Sequence, residues 1–195
     1  MRFVEPVTIK GRYATLEPLA REHEAAVAAA AADGELWRLW YTGVPAPEGT
    51  AAWIEAALAM RESLGAMPFV IRANATGEVV GSTRYFNVEA GHRRLEIGHT
   101  WHARRAQRTA INTECKLLLL GHAFERLECI AVEFRTSFFN FASRRAIERL
   151  GAKQDGILRN HQILPDGTLR DTVVFSIIEG EWPAVQRHLT FELDR

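Results

Sequence analysis

The residues best suited to chemistry lie between positions 96 and 143. A polar loop, RRAQRTAIN at 104–112, leads into a helix predicted over 113–127. Free backbone N–H groups at a helix start, with the positive end of the helix dipole, favour an anion. Arg104, Arg105 and Arg108 add positive charge, and a guanidinium fork matches phosphate geometry. A solvated basic loop before a well-capped helix is the plain alternative. Just upstream, LEIGHTW alternates, so Leu95 and Ile97 share one face of a strand. Glu96, Gly98 and Thr100 then share the other, barring a bulge. A carboxylate beside a glycine on a central strand is a candidate acid–base group. An exposed Glu, or one paired with Arg93 or Arg94, is the competing reading.

Other side chains carry weaker signals. His99 and His102 flank the same strand and titrate near neutral pH when unperturbed, although structural histidines are commoner. Cys115 stands in the first turns of the helix, where a thiol pKa can fall, and reads as a small packing residue. Asn140 is a natural helix N-cap and Ser143 an ordinary polar helix residue. Trp37, Trp40 and Tyr41 could wall an amine pocket, since aromatic faces attract cations, or fill a helical lid. Asp166 and Asp171 sit around a terminal hairpin, where turns are acidic for local reasons.

Length and composition narrow the class. The chain has 195 residues, a length that predicts a single domain over 1–195. Its 24 basic and 24 acidic residues cancel, which argues against nucleic-acid binding by bulk electrostatics. No apolar run approaches the ~18 residues of a membrane span. The first residues, MRFVEPVTIKGRY, lack the pattern of a signal peptide. Two cysteines, Cys115 and Cys129, make no disulfide framework and no zinc spacing, so no metal and a reduced cytoplasmic setting are expected. GxGxxG and P-loop patterns are absent.

The elements that must position these groups can be read in outline. RYATLEPL, 12–19, reads as a short edge strand, and 20–32 as a helix stopped at Asp33-Gly34. Thr50 can cap a helix over about 51–64 that ends at Gly65. Strands follow at 67–75, 78–90 and 93–103, joined by short turns into an antiparallel meander. After the helix at 113–127 come a strand at 129–137, a helix at 140–150 stopped by Gly151, and a hairpin over 157–178 turning at Pro-Asp-Gly. The strands on either side of helix 113–127 should pair in parallel as a βαβ crossover. That places the 104–113 loop where α/β sheets tend to bind ligands. The class is mixed α/β.

The run EIGHTWHARRAQRTAINTECKLLLLGHAFERL resembles the acyl-CoA-binding motif of the GNAT acetyltransferases, and AVEFRTSFFNFASRRAIERLGA resembles that family's next strand and Asn-x-x-Ser helix. The LEPL start, the LPDG hairpin and DTVVFSIIEGEWP look like the branch typified by RimJ and RimL, N-terminal acetyltransferases of ribosomal proteins. The resemblance covers about 12–189. It implies a GNAT fold: a mostly antiparallel central sheet with a splayed parallel pair, flanked by helices.

What the resemblance implies is acetyl transfer from acetyl-CoA directly to a primary amine, either a protein N-terminus or a small amine. In the family the strand before the loop bulges, and pantetheine bonds to main chain in the splay, here at Thr100, Trp101 and His102. The pyrophosphate would lie on the amides of Gln107, Arg108, Thr109, Ala110, Ile111, Asn112 and Thr113. The family's loop usually carries glycine where Ala110 and Asn112 stand. Asn tolerates left-handed backbone and Ala is the smallest residue with a Cβ, so the loop can keep its shape. Glu96 would receive the amine's proton, Asn140 and Ser143 would contact the cofactor, and Trp37, Trp40 and Tyr41 would face the substrate. None of the three tyrosines stands where the family places a thiolate-protonating acid. The altered glycines also allow a CoA-binding module without catalysis. Phe138, Phe139 and Phe141 around Asn140 could cover the cofactor, and fit better as core or as the contact of a homodimer.

Overall fold

The run MPFVIRA, buried along nearly its whole length, is the strand expected where helices cover both faces of a sheet. It is the third of eight strands in the computed structural model, which describes residues 3–195. These are β1 (Ile9–Lys10), β2 (Ala14–Pro18), β3 (Met67–Ala73), β4 (Val79–Glu89), β5 (Arg94–His102), β6 (Ala131–Ser137), β7 (Lys153–Ile163) and β8 (Leu169–Ile178). They form one sheet in the order β1-β2-β3-β4-β5-β6-β8-β7. Every neighbouring pair is antiparallel except β5 and β6. The 12–19 segment is not an edge strand as predicted. The two-residue β1 covers it, and Pro18 falls at its end, where a lost N–H matters least.

Helices α1 (Glu24–Ala32) and α2 (Thr50–Leu64) pack on one face, where Val27, Ala30, Ile54 and Ala57 meet Val70, Val79 and Trp101. Thr50 opens α2 instead of capping it; its hydroxyl donates to Ala46 O at 3.3 Å. The other face carries α3 (Ala110–Gly121), α4 (Phe141–Glu148) and α5 (Trp182–Asp194) over a core that includes Phe69, Tyr85, Phe134 and Phe175. α3 begins three residues before the predicted start, with Thr109 as its cap and Ala110, the best helix former, in first place. From His122 to Arg126 the chain widens into a π-type turn, and Leu127 N–H donates to His122 O. The predicted elements end at the hairpin and omit α5. Its signal is present in the sequence: Pro183 in the first turn, and Trp182, Val185 and Leu189 on one buried face.

The β5–β6 pair is short. Only Arg94–Glu96 pair with Ala131–Glu133; beyond that point β5 stays with β4 and β6 stays with β8. The parallel strands therefore part after Glu96, and a gap opens toward the start of α3. The β4–β5 register also slips between Ser82 and Arg84, so His99 and Thr100 together oppose Thr83. His99 takes the strained φ of 48° that this bulge requires.

α3 is anchored at its amino end by Glu114. This buried carboxylate accepts from the N–H groups of Arg12, Tyr13 and Ala14, each at 2.7 Å. Gly11 leaves room for it, because a Cβ there would sit 2.5 Å from the same carboxylate and push it off its donors. Replacing Glu114 by Ala strands three donors, at ~1–3 kcal/mol for each that water cannot reach. We expect Glu114→Ala to cost at least ~2 kcal/mol, a fall in Tm of roughly 4–8 °C by calorimetry. An unchanged Tm would mean that the β1–β2 turn is not held by this contact.

Candidate active site

Glu96 sits at the last paired position of β5, beside Glu133 of β6, where the strands begin to part. Only 2% of it is exposed. Asn87 Nδ2 donates to its Oε2 at 2.8 Å, and Arg135 Nε lies 3.5 Å from the same oxygen. Neither arginine named from the sequence is its partner. Arg94 pairs with Glu133, and Arg93 reaches toward Glu128. Burial pushes the Glu96 carboxyl up to about 7; Asn87 and Arg135 oppose that rise and Glu133 adds to it. A carboxyl poised there can take a proton near neutral pH. The glycine beside it leaves room for an aromatic ring, not a void: a Cβ on Gly98 would lie 2.5 Å from Phe86 Cε1.

The bulge corrects the predicted facing of Thr100. Its side chain does not share a face with Glu96. It turns to the α3 side, where Lys116 Nζ donates to Thr100 Oγ1 at 2.6 Å and Thr83 Oγ1 lies at 2.8 Å. Burial lowers the Lys116 ammonium to about 8. Trp101 points the other way, into the α1–α2 core against Trp53. His102 points back to α3, its Nε2 at 3.0 Å from Asn112 Oδ1, with the imidazole lowered by burial to about 4 and hence neutral at pH 7. Three successive side chains are thus held by hydrogen bonds or packing, and what β5 offers the gap here is main chain.

The loop after β5 is built for an anion, on different residues than the glycine pattern suggested. Ala110 and Asn112 lie within α3 and need no left-handed backbone; Arg108 supplies the positive φ, at 59°. The N–H groups of Arg108, Thr109 and Ala110 have no acceptor among the described residues. Ile111 N–H donates to Thr109 Oγ1, and Gln107 Nε2 donates back to His102 O. Arg105 is not available: it holds Asp33 at 3.0 Å and Glu78 at 3.5 Å. A cavity of 360 Å³ opens against Thr109, Ala110 and Ile111 from the side of Arg12, Tyr13 and Asn74. A larger concavity of 550 Å³ lies at the opposite end of β5, around Glu89, His92 and Arg94, away from the splay.

On the other wall of the gap, Asn140 caps α4, its Oδ1 accepting from Ser143 N–H at 3.1 Å. The cap leaves the Asn140 amide nitrogen and the Ser143 hydroxyl without a partner among the described residues. Trp40 packs on Tyr41 and on Phe139, with centroids 5.4 and 5.8 Å apart, so the 35–49 loop meets the β6–α4 turn at the mouth. Trp37 takes no part in this ring contact. Phe138 packs on the core while Phe139 and Phe141 stay exposed. Tyr85 donates to Leu119 O and Tyr13 to Leu193 O, which leaves Tyr41 as the tyrosine at the mouth. Cys115 is fully buried, and burial pushes its thiol up to about 12, so it packs. Asp166 serves a local turn, while Asp171 on β8 bonds across to β7, holding Arg159 and Asn160 N–H. Asn87, Arg135 and Glu133 escape the sequence reading because only strand pairing brings them to Glu96.

A sheet that splays beside a bulged strand, a helix with free amides at the mouth of the splay and a buried carboxyl at its root define an acyl-CoA-dependent transferase of amines. The chain belongs to the acetyltransferase (GNAT) domain family, whose sequence profile matches residues 14–153. It is an acetyl-CoA-dependent N-acetyltransferase. It is similar to a "putative acetyltransferase" from T. thermophilus, 36% identical, with 97% of this chain and 98% of that one aligned at a TM-score of 0.86. A GCN5-related N-acetyltransferase from Brucella melitensis is 28% identical over 97% of this chain and 86% of that one, at 0.87. Mycobacterium smegmatis RimJ in complex with CoA-disulfide shares the fold at 23% identity, a TM-score of 0.78 and coverage of 96% and 95%. No curated protein matches the chain. Among the described residues no helix is long and apolar enough to cross a membrane.

Proposed function

We propose that residues 1–195 act as one acetyltransferase domain that passes acetyl directly from acetyl-CoA to a primary amine, a protein N-terminal amine or a small amine. The observation that carries this reading is Glu96, buried at the root of the splay with its carboxyl raised to about 7. In the reaction the neutral amine attacks the thioester carbonyl, the C–N bond forms and the C–S bond breaks. CoA leaves as thiolate. Glu96 takes the proton that the amine nitrogen sheds. The unbonded amides of Arg108, Thr109 and Ala110 would hold the pyrophosphate. Main chain at Thr100, Trp101 and His102 would hold pantetheine, and Asn140 and Ser143 would meet it from α4. Trp40 and Tyr41 would receive the acceptor at the mouth, with Trp37 behind them in the same loop. A reducing compartment such as the cytoplasm fits two cysteines that are both free.

The test is binding followed by turnover. At ~100-fold over Kd, acetyl-CoA should stabilise the protein by ~2.7 kcal/mol. At ~2–4 °C per kcal/mol that is a rise in Tm of roughly 5–10 °C. CoA should act similarly, and ATP and NAD much less. Amine-dependent release of free CoA thiol then identifies acceptors. No shift at millimolar acetyl-CoA, or thiol release indifferent to any amine, would overturn the reading.

A further inference from the structure

Two arginines face the acceptor side of the sheet with no carboxylate bonded to them. Arg84 is only 3% exposed. Its register partner on β5 is Gly98, two residues beyond Glu96 and so about 7 Å along the strand. Its Nε is buried without an acceptor; Nη1 reaches only Met60 Sδ, at 3.0 Å, and the guanidinium lies over the Trp53 ring at 5.8 Å. Arg170 comes from β8 on the far side of the gap, and its Nε too is buried and unbonded. Among the described residues neither makes an ion pair within bonding distance, although Arg159, Arg135, Arg105 and Arg72 all do. Trp101 Nε1, beside Trp53, is a third buried donor without an acceptor.

Arg94 and Arg144 also bury an unbonded Nε, and Arg170 is only half-buried, but a fully buried guanidinium without an anion, as at Arg84, is rare. Replacing such a charge with an apolar side chain commonly stabilises a protein, so its retention points to binding. Desolvation against its neighbours, and after it the charges of Arg84 and Arg170, lower the His99 imidazole to about 4. His99 itself is open to the cleft, with its ring against Phe86 at 4.8 Å. Through its pairing with Gly98, Arg84 lies close to Glu96, where the amine would sit. Arg170 is also near enough to Glu96 for the two charges to interact.

We propose that the acceptor amine carries an anionic group, a carboxylate or a phosphate, and that Arg84 and Arg170 bind it while the amine faces Glu96. This inference rests on the acceptor-cleft reading above and adds the chemical class of the acceptor. Glu96 selects the reacting nitrogen, and the arginine pair reads the far end of the same molecule. Neutral amines lack that contact.

The experiment compares an amino acid, its carboxamide and an aminoalkyl phosphate as acceptors, by CoA thiol release, in wild type and in R84M and R170M. The wild type should prefer an anionic acceptor over the carboxamide by at least ~30-fold in kcat/KM, and the better of the two anions names the group. R84M should erase most of that preference through KM, keep its rate on the carboxamide and bind acetyl-CoA as before. It should melt no lower than wild type, since Met fills similar space without a buried charge. An equal rate on acid and carboxamide in the wild type, or an equal loss on both in R84M, overturns the proposal. A second readout is independent of turnover: succinate and inorganic phosphate should raise the Tm of the wild type more than that of R84M. Anion binding at the α3 amides is common to both proteins and cancels. Equal shifts in both sink the anion site even if acetyl transfer is confirmed. A difference without any transfer keeps the anion site and sinks the acetyltransferase assignment of the cleft.

Discussion

Glu96→Gln should lower kcat/KM by ~10²–10⁴-fold at pH 7, the range for loss of a positioned general base. The pH profile makes the result specific. Burial raises the carboxyl to about 7, so the wild-type rate should climb with pH through about 7 as Glu96 loses its proton. The variant keeps only the limb set by the acceptor amine. Acetyl-CoA affinity should be unchanged, since Glu96 lies at the root of the splay and not at the loop amides. Unaltered kcat/KM across pH would remove Glu96 from the mechanism.

The same group ties activity to stability with a definite sign. Its ordinary value is 4.5 and its folded value about 7. Between these the native state holds a proton that the unfolded chain has lost, so native stability falls as pH rises through that window. Above about 7 the fold carries a buried, ionised carboxylate. Gln carries none. By scanning calorimetry Glu96→Gln should therefore match the wild type near pH 4.5 and melt above it at pH 8. An inactive variant that gains stability only at high pH marks a carboxylate kept for function. Equal melting at both pH values would place the carboxyl in a solvated site instead.

The sequence shows the order of elements better than the facing of side chains. Glycine stops, alternation and turn residues locate β3, β4, β5, α2 and α4 within a few residues, because local chain chemistry decides them. The strand–helix–strand order also gives the parallel β5–β6 pair through the handedness of crossovers. The facing of position 100 is not legible because a bulge is a property of two strands, and nothing in HTW alone says that His99 will take a positive φ. The glycine comparison draws attention to Ala110 and Asn112, yet Arg108 makes the left-handed turn and both of the others sit in regular helix. The partners of Glu96, Asn87 and Arg135, come from β4 and β6, far from it along the chain, and pairing register alone unites them. Arg84 and Arg170 look like ordinary strand arginines until the missing carboxylates are seen. The α5 helix is legible by its apolar spacing and by Pro183 in its first turn.

Ala110→Asp should separate the two roles of the α3 terminus. Ala110 is the first residue of that helix, next to the unbonded amides of Arg108, Thr109 and its own. An acidic side chain in the first turn complements the helix dipole and typically stabilises by ~0.3–1 kcal/mol. The free protein should therefore melt at the same temperature or slightly higher. A pyrophosphate at those amides would meet the new carboxylate at close range, and like-charge juxtaposition in a binding site costs several kcal/mol. Acetyl-CoA affinity by titration calorimetry should fall by at least ~100-fold, the equivalent of ~2.7 kcal/mol. Ala110→Gly, which removes a methyl group and adds no charge, should bind as the wild type does. Weakened binding in a protein of undiminished Tm assigns the loss to charge at the loop and excludes misfolding. Undiminished affinity in the aspartate variant would move the pyrophosphate away from the α3 amides, and with it the path of pantetheine along Thr100 to His102.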